Sequence, residues 1–273
     1  MASREAPSPR KGDLIQSLAR GLAIIRAFGD ADRDLTVTDV ARITGITRAA
    51  ARRFLLTLTE LGYVRTDGRT FALRPTVLEL GNSYLASMGL AEVARPHMEN
   101  LVADVGDSSA LCVLEGDDVY YVVLLRVPSR QVMAINVSVG TRLPAYPTSM
   151  GRVLLAGQSD AWLVRYLDRA VVRPVTSYTV ESSAELKVIL DQVRQDDYAI
   201  VDQELDIGLR SIAVPIRAAN GTVFASVNVS MHTSRRTVEQ MREELLGPLR
   251  RTARMIEQDL TAISRRRDRS LGR

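Results

Sequence analysis

The sequence predicts an α+β protein in two parts, a winged helix-turn-helix and then a mixed α/β sensor-like domain, and three observations carry that prediction. Residues 36–62 hold two runs of helical period on either side of Gly45, with Arg48 and Arg52 four apart on the polar face of the second run. Two short β-prone runs joined by Asp67-Gly68 follow at once. From Ser108 the hydrophobic period changes to two, and strand-like and helix-like runs then share the remainder.

At 273 residues the chain has room for two domains, and 46% hydrophobic with 25% charged residues is ordinary for globular protein. No run approaches eighteen apolar residues, which excludes a helical membrane span. Residues 1–12 lack the apolar core of a signal peptide, and the single cysteine, Cys112, allows neither an internal disulfide nor a cysteine-based zinc site. A cytoplasmic protein is expected. The net charge of +4 is uneven: residues 1–75 hold 13 Lys and Arg against 8 Asp and Glu, residues 76–253 hold 17 against 21, and residues 254–273 hold 6 against 3. Positive charge gathers where the helix-turn-helix lies, so that part is expected on DNA and the acidic middle is not.

In chain order, residues 1–13 read as a disordered basic arm. Leu18, Leu22, Ile25 and Phe28 give residues 16–28 an apolar helical stripe that would back the helix-turn-helix, within a DNA-binding domain of residues 14–75. Thr36 or Thr38 caps the next helix, whose stripe is Val37, Val40, Ala41 and Ile43; Gly45 ends it, and Ile46 plugs the corner. Thr47 caps the recognition helix, with Ala50, Phe54, Leu58 and Leu61 on its inner face and Ala51 and Leu55 beside them. Arg48 and Arg52 flank the small Ala49, a pattern that suits a major groove, where arginine pairs bidentately with guanine and an alanine methyl meets thymine. Thr47 and Arg53 lie at the edge of this face, Arg53 nearer a phosphate, and Arg65, Arg69 and Arg74 belong to the wing. The competing reading is a small amphipathic hairpin with a solvated basic face. The turn glycine, the paired arginines and the wing agree in favouring DNA recognition.

Residues 76–89 form a predicted linker helix whose stripe, from Val77 to Met88, is too short to bury itself and should pack on a second subunit. Residues 90–264 form the predicted effector-binding domain. It begins with a helix that Pro96 kinks or restarts, followed by strands at Ser109 to Glu115, Val119 to Val127 and Gln131 to Val137. An irregular segment around Pro144 and Pro147 leads to a helix capped at Thr148 or Ser149, and further helices span Trp162 to Leu167 and Ser182 to Asp196. Tyr198 to Val201 is a brief strand, and Leu209 to Arg217 and Thr222 to Met231 form a hairpin across Asn220-Gly221. Helices interrupted at Gly247-Pro248 close the domain, before a basic tail of residues 265–273.

From about Gln16 to Ile263 the chain resembles the IclR family of bacterial transcription regulators. The carrying stretches are Ser17-Leu-Ala-Arg-Gly-Leu-Ala-Ile-Ile, the helix-turn-helix, Val139-Gly-Thr-Arg-Leu-Pro-Ala-Tyr-Pro-Thr-Ser-Met-Gly-Arg-Val-Leu-Leu-Ala, and Glu204-Leu-Asp-Ile-Gly-Leu-Arg-Ser-Ile-Ala-Val-Pro. The middle two look most like the subgroup that regulates protocatechuate, 4-hydroxybenzoate and β-ketoadipate catabolism. The resemblance implies a winged helix, a linker helix and a GAF-like effector domain, assembled as a homodimer or homotetramer. Transferred by position, it lines an effector site with Ser149, Met150, Ser211, Asn228 and Ser230, with Val201 in the wall. Asn228 and Ser230 are two apart and so share a strand face, and a helix start at Ser149 offers N–H groups to a carboxylate. Three positions depart from the family pattern: Asp197 in place of a common glycine, Val201 in place of a frequent acid, and Arg217 in place of an aromatic residue or histidine.

The expected function is ligand-controlled DNA binding at an inverted-repeat operator, governing genes of aromatic-acid catabolism. The expected effector is a small acid such as 4-hydroxybenzoate, protocatechuate or a β-ketoadipate-like compound. This residue set carries no formal positive charge, so dipoles would hold the anion, an arrangement suited to a flat monocarboxylate. An architectural DNA-binding protein without a ligand is the second reading. An enzyme is the third, and its signals fail: Pro147-Thr-Ser149-Met-Gly151 lacks the first glycine of a nucleophile elbow, and His97 and His232 have no metal-ligand spacing. No cofactor is expected.

Overall fold

The computed structural model describes residues 15–29, 33–77, 89–115, 120–128 and 138–271. The chain divides into two compact units, Met1–Ser87 and Met88–Arg273.

In the first unit, helices α1 (Gln16–Ala27), α2 (Val37–Thr44) and α3 (Arg48–Glu60) precede a hairpin of β1 (Val64–Thr66) and β2 (Phe71–Leu73). Local chemistry sets each boundary. Helix α2 opens on a capping box: the Asp39 N–H donates to Thr36 Oγ1 at 3.2 Å, and the Asp39 carboxylate accepts from the Thr36 N–H at 3.0 Å and its hydroxyl at 2.7 Å. Those bonds from Thr36, led by the hydroxyl, hold the Asp39 carboxyl down at about 2. Gly45 ends α2 at φ 69°, a left-handed conformation that costs other residues, and Thr47 Oγ1 caps α3 by accepting from the Ala50 N–H. In the wing, the Asp67 carboxylate accepts from the N–H groups of Arg69 and Thr70 at 2.8 and 2.6 Å, so the tip is a closed turn.

The core of this unit is Ile24, Leu35, Val40, Ala51, Leu55, Leu58, Val64 and Phe71, with Ile46 packed against it at the corner. Three expectations fail here, the first being Ile43, expected on the apolar stripe of α2 but 43% exposed because that helix buries Val40 and Ala41. Leu18 and Leu22 are 61% and 45% exposed, because the buried positions of α1 are Ile24 and Ala27. Leu61, expected on the inner face of α3, is 60% exposed, since the helix ends at Glu60 and the chain turns away through Gly62 at φ 79°. Pro75 opens a single 3-10 turn, Pro75–Val77. The predicted linker helix beyond it, the predicted arm of residues 1–13 and the predicted strand at 131–137 lie outside the described residues.

The second unit is built on a six-stranded sheet of order β5-β4-β3-β8-β7-β6 with antiparallel pairings. Its strands are β3 (Ser108–Leu114), β4 (Tyr120–Val127), β5 (Arg142–Pro144), β6 (Ala199–Asp202), β7 (Leu209–Arg217) and β8 (Val223–His232), and its helices are α4 (Leu90–Val105), α5 (Ser149–Ala156), α6 (Asp160–Arg169), α7 (Ser183–Asp196) and α8 (Val238–Leu271). Alternation along β7 and β8 sends Ile212, Val214, Val227 and Val229 to one face and Ser211, Ala213, Asn228 and Ser230 to the other. Helices α4 and α8 pack together on the sheet, while α5 crosses β3, β6, β7 and β8 and is itself covered by α7.

The sheet corrects the expectation of an irregular segment before α5. Arg142–Pro144 is a strand, and Pro144 is tolerated because, among the described residues, β5 is the sheet edge. The closing helix is likewise unbroken at Gly247-Pro248 and continues through the predicted basic tail as far as Leu271. Its buried residues Met241, Leu245, Leu249, Ala253 and Ile256 run straight across the proline, so packing outweighs one lost helical hydrogen bond, whose acceptor lies on the exposed Glu244. Pro96 in α4 is spanned in the same way by Leu90, Ala94, Met98, Leu101 and Val105. Asp197, the first departure from the family pattern, caps α7 at φ 62°, a conformation that suits glycine; Arg217, another departure, pairs with it at 2.7 Å. The two unusual residues are partners.

Candidate functional site

Two sets of residues come together, one in each unit. On the first, Thr47, Arg48, Ala49, Arg52 and Arg53 all lie exposed along the first turns of α3, opposite buried Ala51, Leu55 and Leu58. Arg65 and Arg69 are exposed on the hairpin, Arg65 within 3.5 Å of Asp34 and Arg69 at the wing tip. A capped helix presenting three guanidinium groups around one methyl is a surface that can bond to base edges and phosphates at once.

In the second unit the registers build a cavity floor. Ser108, Ser230, Ser211 and Val201 stand in one row across β3, β8, β7 and β6. Two residues along, Arg126, Ala110, Asn228, Ala213 and Ala199 form the next row, on the same face. Serine and alanine fill little of the gap below α5, so space is left between sheet and helix beside the point where Ser211 meets Ser149. The result is a small cavity with about 60 Å³ of room for the centres of water-sized occupants. All six residues predicted to surround an effector, Ser149, Met150, Val201, Ser211, Asn228 and Ser230, line it.

Its polar groups are positioned by specific bonds. Thr148 caps α5 by accepting from the Gly151 N–H, which leaves the Ser149 and Met150 N–H groups in the first turn, where the helix supplies no acceptor. The Ser149 hydroxyl donates to Ser211 Oγ at 2.8 Å and ties helix to sheet. Asn228 Oδ1 accepts from the Ala110 N–H at 2.9 Å, which fixes the amide and leaves its NH₂ group on the cavity side.

One expectation is overturned. The cavity is not without formal positive charge, because Arg126 lines it. Nothing local in the sequence marks Arg126; it reaches the floor as the β4 partner of Ala110. Thr148, Leu143, Leu205 and Leu209 also line the cavity and are missing from the predicted set.

The roof is locked from behind. Arg152, on α5, is 2% exposed, donates from Nε to the Tyr146 carbonyl at 2.8 Å and meets Glu204 Oε2 at 2.6 Å. Glu204 opens the loop that carries Leu205 and leads to Leu209 at the start of β7, so one ion pair joins two of the four stretches that carry the family resemblance. At the near end of the floor, Asp107, buried beside Ser108, pairs with Arg235 at 2.6 Å and with Arg236, while Arg210 grips Asp202 through two bonds of 2.9 and 2.7 Å. Cys112 is fully buried on the same face, and burial pushes its thiol well above the usual range, so it serves as a small hydrophobe.

Comparison with known proteins adds sequence and structural relatives. Residues 17–68 match the IclR helix-turn-helix domain, and residues 82–258 match the bacterial transcriptional regulator IclR C-terminal domain. The chain is similar to the Pca regulon regulatory protein of Pseudomonas putida, 45% identical over 86% of this chain and 80% of that one. It is similar also to the p-hydroxybenzoate hydroxylase transcriptional activator of Acinetobacter baylyi, 36% identical over 89% and 91%. Among solved structures, an IclR homolog from Microbacterium hydrocarbonoxydans complexed with 4-hydroxybenzoate superposes with a TM-score of 0.78 at 27% identity, covering 90% of this chain and 99% of that one.

Proposed function

This chain belongs to the IclR family of transcriptional regulators, and from that premise we propose that it is a DNA-binding regulator of aromatic-acid catabolism controlled by a small carboxylate held in the second unit. The family and these relatives are transcription regulators rather than enzymes. The observation that supports the ligand reading is the meeting in one cavity of the six residues that the family resemblance transfers, with a helix start above it and a guanidinium at its floor. The 4-hydroxybenzoate in the Microbacterium homolog makes that compound the first to test. Protocatechuate and β-ketoadipate-like acids are the companions of the same reading. Among the described residues no helix is long and apolar enough to cross a membrane.

On the DNA side, the reading assigns Arg48 and Arg52 to base edges, Thr47, Arg53 and Arg65 to the flanks and Arg69 to the backbone. Arg48→Ala or Arg52→Ala should cost about 1–3 kcal/mol at the operator and relax preference at one base pair. Arg69→Ala should weaken all sequences alike and reduce the salt slope. Mobility shifts on the protein's own upstream region, repeated at several salt concentrations, measure both. Operator binding by the Arg48 and Arg52 variants at the wild-type level would misplace the recognition face. A homodimer or homotetramer implies inverted half-sites about one or more helical turns apart, which footprinting reads directly.

On the ligand side, Asn228→Leu should weaken 4-hydroxybenzoate by about 1–3 kcal/mol, since it removes a buried hydrogen-bonding group and leaves the Ala110 N–H without its acceptor. Titration calorimetry on the folded variant tests this. Unaltered binding would remove Asn228 from the site.

A further inference from the structure

We propose that Asp67 is a positioning residue for DNA binding, an acid on the wing that closes the tip turn and so fixes where Arg69 points. The proposal rests on the DNA reading above and extends it to a residue that this reading leaves out. Hydrogen bonds close the tip within residues 66–70. The Asp67 carboxylate accepts from the Arg69 N–H at 2.8 Å, the Thr70 N–H at 2.6 Å and the Thr70 hydroxyl at 2.9 Å. From the other strand, Thr66 Oγ1 donates to the Thr70 carbonyl at 2.7 Å and accepts from the Gly68 N–H at 3.0 Å. Gly68 sits at φ 92°, a left-handed value that lets so short a turn close. The Thr70 and Arg69 N–H groups hold the Asp67 carboxyl down at about 2, so it stays an acceptor throughout the neutral pH range.

The base of the wing is held as firmly. The Tyr63 N–H donates to the Leu58 carbonyl at 2.9 Å near the end of α3, and Leu35 and Phe71 exchange bonds of 2.9 and 2.8 Å just before α2. The hairpin is thus tied to both helices of the helix-turn-helix, and Asp67 carries that order to the tip. Arg33 and Arg65 meet Asp39 and Asp34, whereas the Arg69 guanidinium has no hydrogen bond or ion pair among the described residues. A free guanidinium on a fixed turn is aimed before it meets a phosphate, so less freedom is lost on binding. Simple electrostatics gives the opposite sign for Asp67. A carboxylate on a tip that faces DNA repels phosphate, and on that account alone its removal tightens binding. At physiological salt, however, an exposed carboxylate is screened beyond about 8 Å, whereas the Arg69 contact is made at hydrogen-bond distance, so loss of the turn outweighs relief of the repulsion.

The test is titration of mixed-sequence duplex DNA with the full-length protein at several salt concentrations, each variant checked for folding by its melting curve. That probe suffices because a backbone contact is independent of sequence. Asp67→Ala is expected to bind about 3- to 10-fold more weakly than wild type, although it removes a negative charge, and to show a lower salt slope. Asp67→Asn keeps an oxygen that can accept from both N–H groups and is expected to bind at least as tightly as wild type. In an Arg69→Ala background, Asp67→Ala is expected to cause no further loss, because it acts through Arg69. Three results overturn the role of Asp67 and leave the wing assignment standing, provided that Arg69→Ala itself weakens binding: Asp67→Ala binding as tightly as wild type or more so, Asp67→Asn binding as weakly as Asp67→Ala, or an equal loss from Asp67→Ala in both backgrounds. Unaltered binding by Arg69→Ala overturns the wing assignment and the proposal together. A wild type that leaves DNA unbound at low salt overturns the DNA reading as well. If Asp67→Ala fails to fold, Gly68→Ala decides, since it strains the same turn without changing charge. Its loss must vanish in the Arg69→Ala background, and an equal loss in both overturns the proposal.

Discussion

Arg152→Ala is expected to destabilise the second unit by about 3–5 kcal/mol, because it strands the Glu204 carboxylate, only 10% exposed, without its cation. The loss reaches further than one pair. Arg152 also holds the Tyr146 carbonyl, so α5, the segment before it and the loop from Glu204 to Gly208 all depend on this guanidinium. Urea unfolding measures the cost. The double variant Arg152→Met with Glu204→Leu should recover much of it, since an apolar pair of similar volume need not be desolvated. A loss under about 1 kcal/mol in the single variant would mean that the pair is solvated and behaves as a surface ion pair.

Gly151→Ala is expected to cost about 3 kcal/mol and to disable the cavity. A Cβ at this position would stand 2.1 Å from the Ala145 carbonyl oxygen and 2.4 Å from its Cα, atoms of a backbone that the Thr148 cap and the Arg152 bond already hold in place. The helix must then lift, carrying Ser149 and Met150 away from Ser211 and the floor. Gly247→Ala is the control, because it lies in a helix with only the flexible Arg251 side chain near, at 3.7 Å. There the same change should stabilise by about 0.5–1 kcal/mol through helix propensity. Similar melting shifts for the two variants would show that close packing at Gly151 is not what the geometry implies.

What was legible in the sequence is what short-range chemistry determines. Thr36, Gly45 and Thr47 delimit the helix-turn-helix because caps and left-handed turns act within a few residues. Asn228 and Ser230 could be put on one face because a strand's period is two. The features that escaped depend on long-range partners. Arg126 enters the cavity only through the pairing of β4 with β3, and Arg152 finds Glu204 52 residues away. Pro248 reads as a break until the sheet beneath α8 is known. The apolar stripe of α1 passes through Leu18 and Leu22, whereas the helix buries Ile24 and Ala27. Periodicity tells that a helix has an apolar side, and only the neighbours tell which part of it is covered.

The rows of small side chains across the sheet bear on how the proposed ligand site could come to admit other compounds. The backbone there is already committed to its ladder, and the chamber is shaped by side-chain bulk at a handful of positions, Ser108, Ala110, Ser211, Ala213 and Ser230, each on a different strand or two residues from its neighbour. Exchanges among serine, alanine, threonine and valine at these positions would resize or re-polarise the chamber by a methyl group or a hydroxyl without removing a backbone ladder group. On the proposed reading, other ligands could be reached in steps small enough for the fold to survive each one, which makes this floor the natural place to randomise when altering ligand preference.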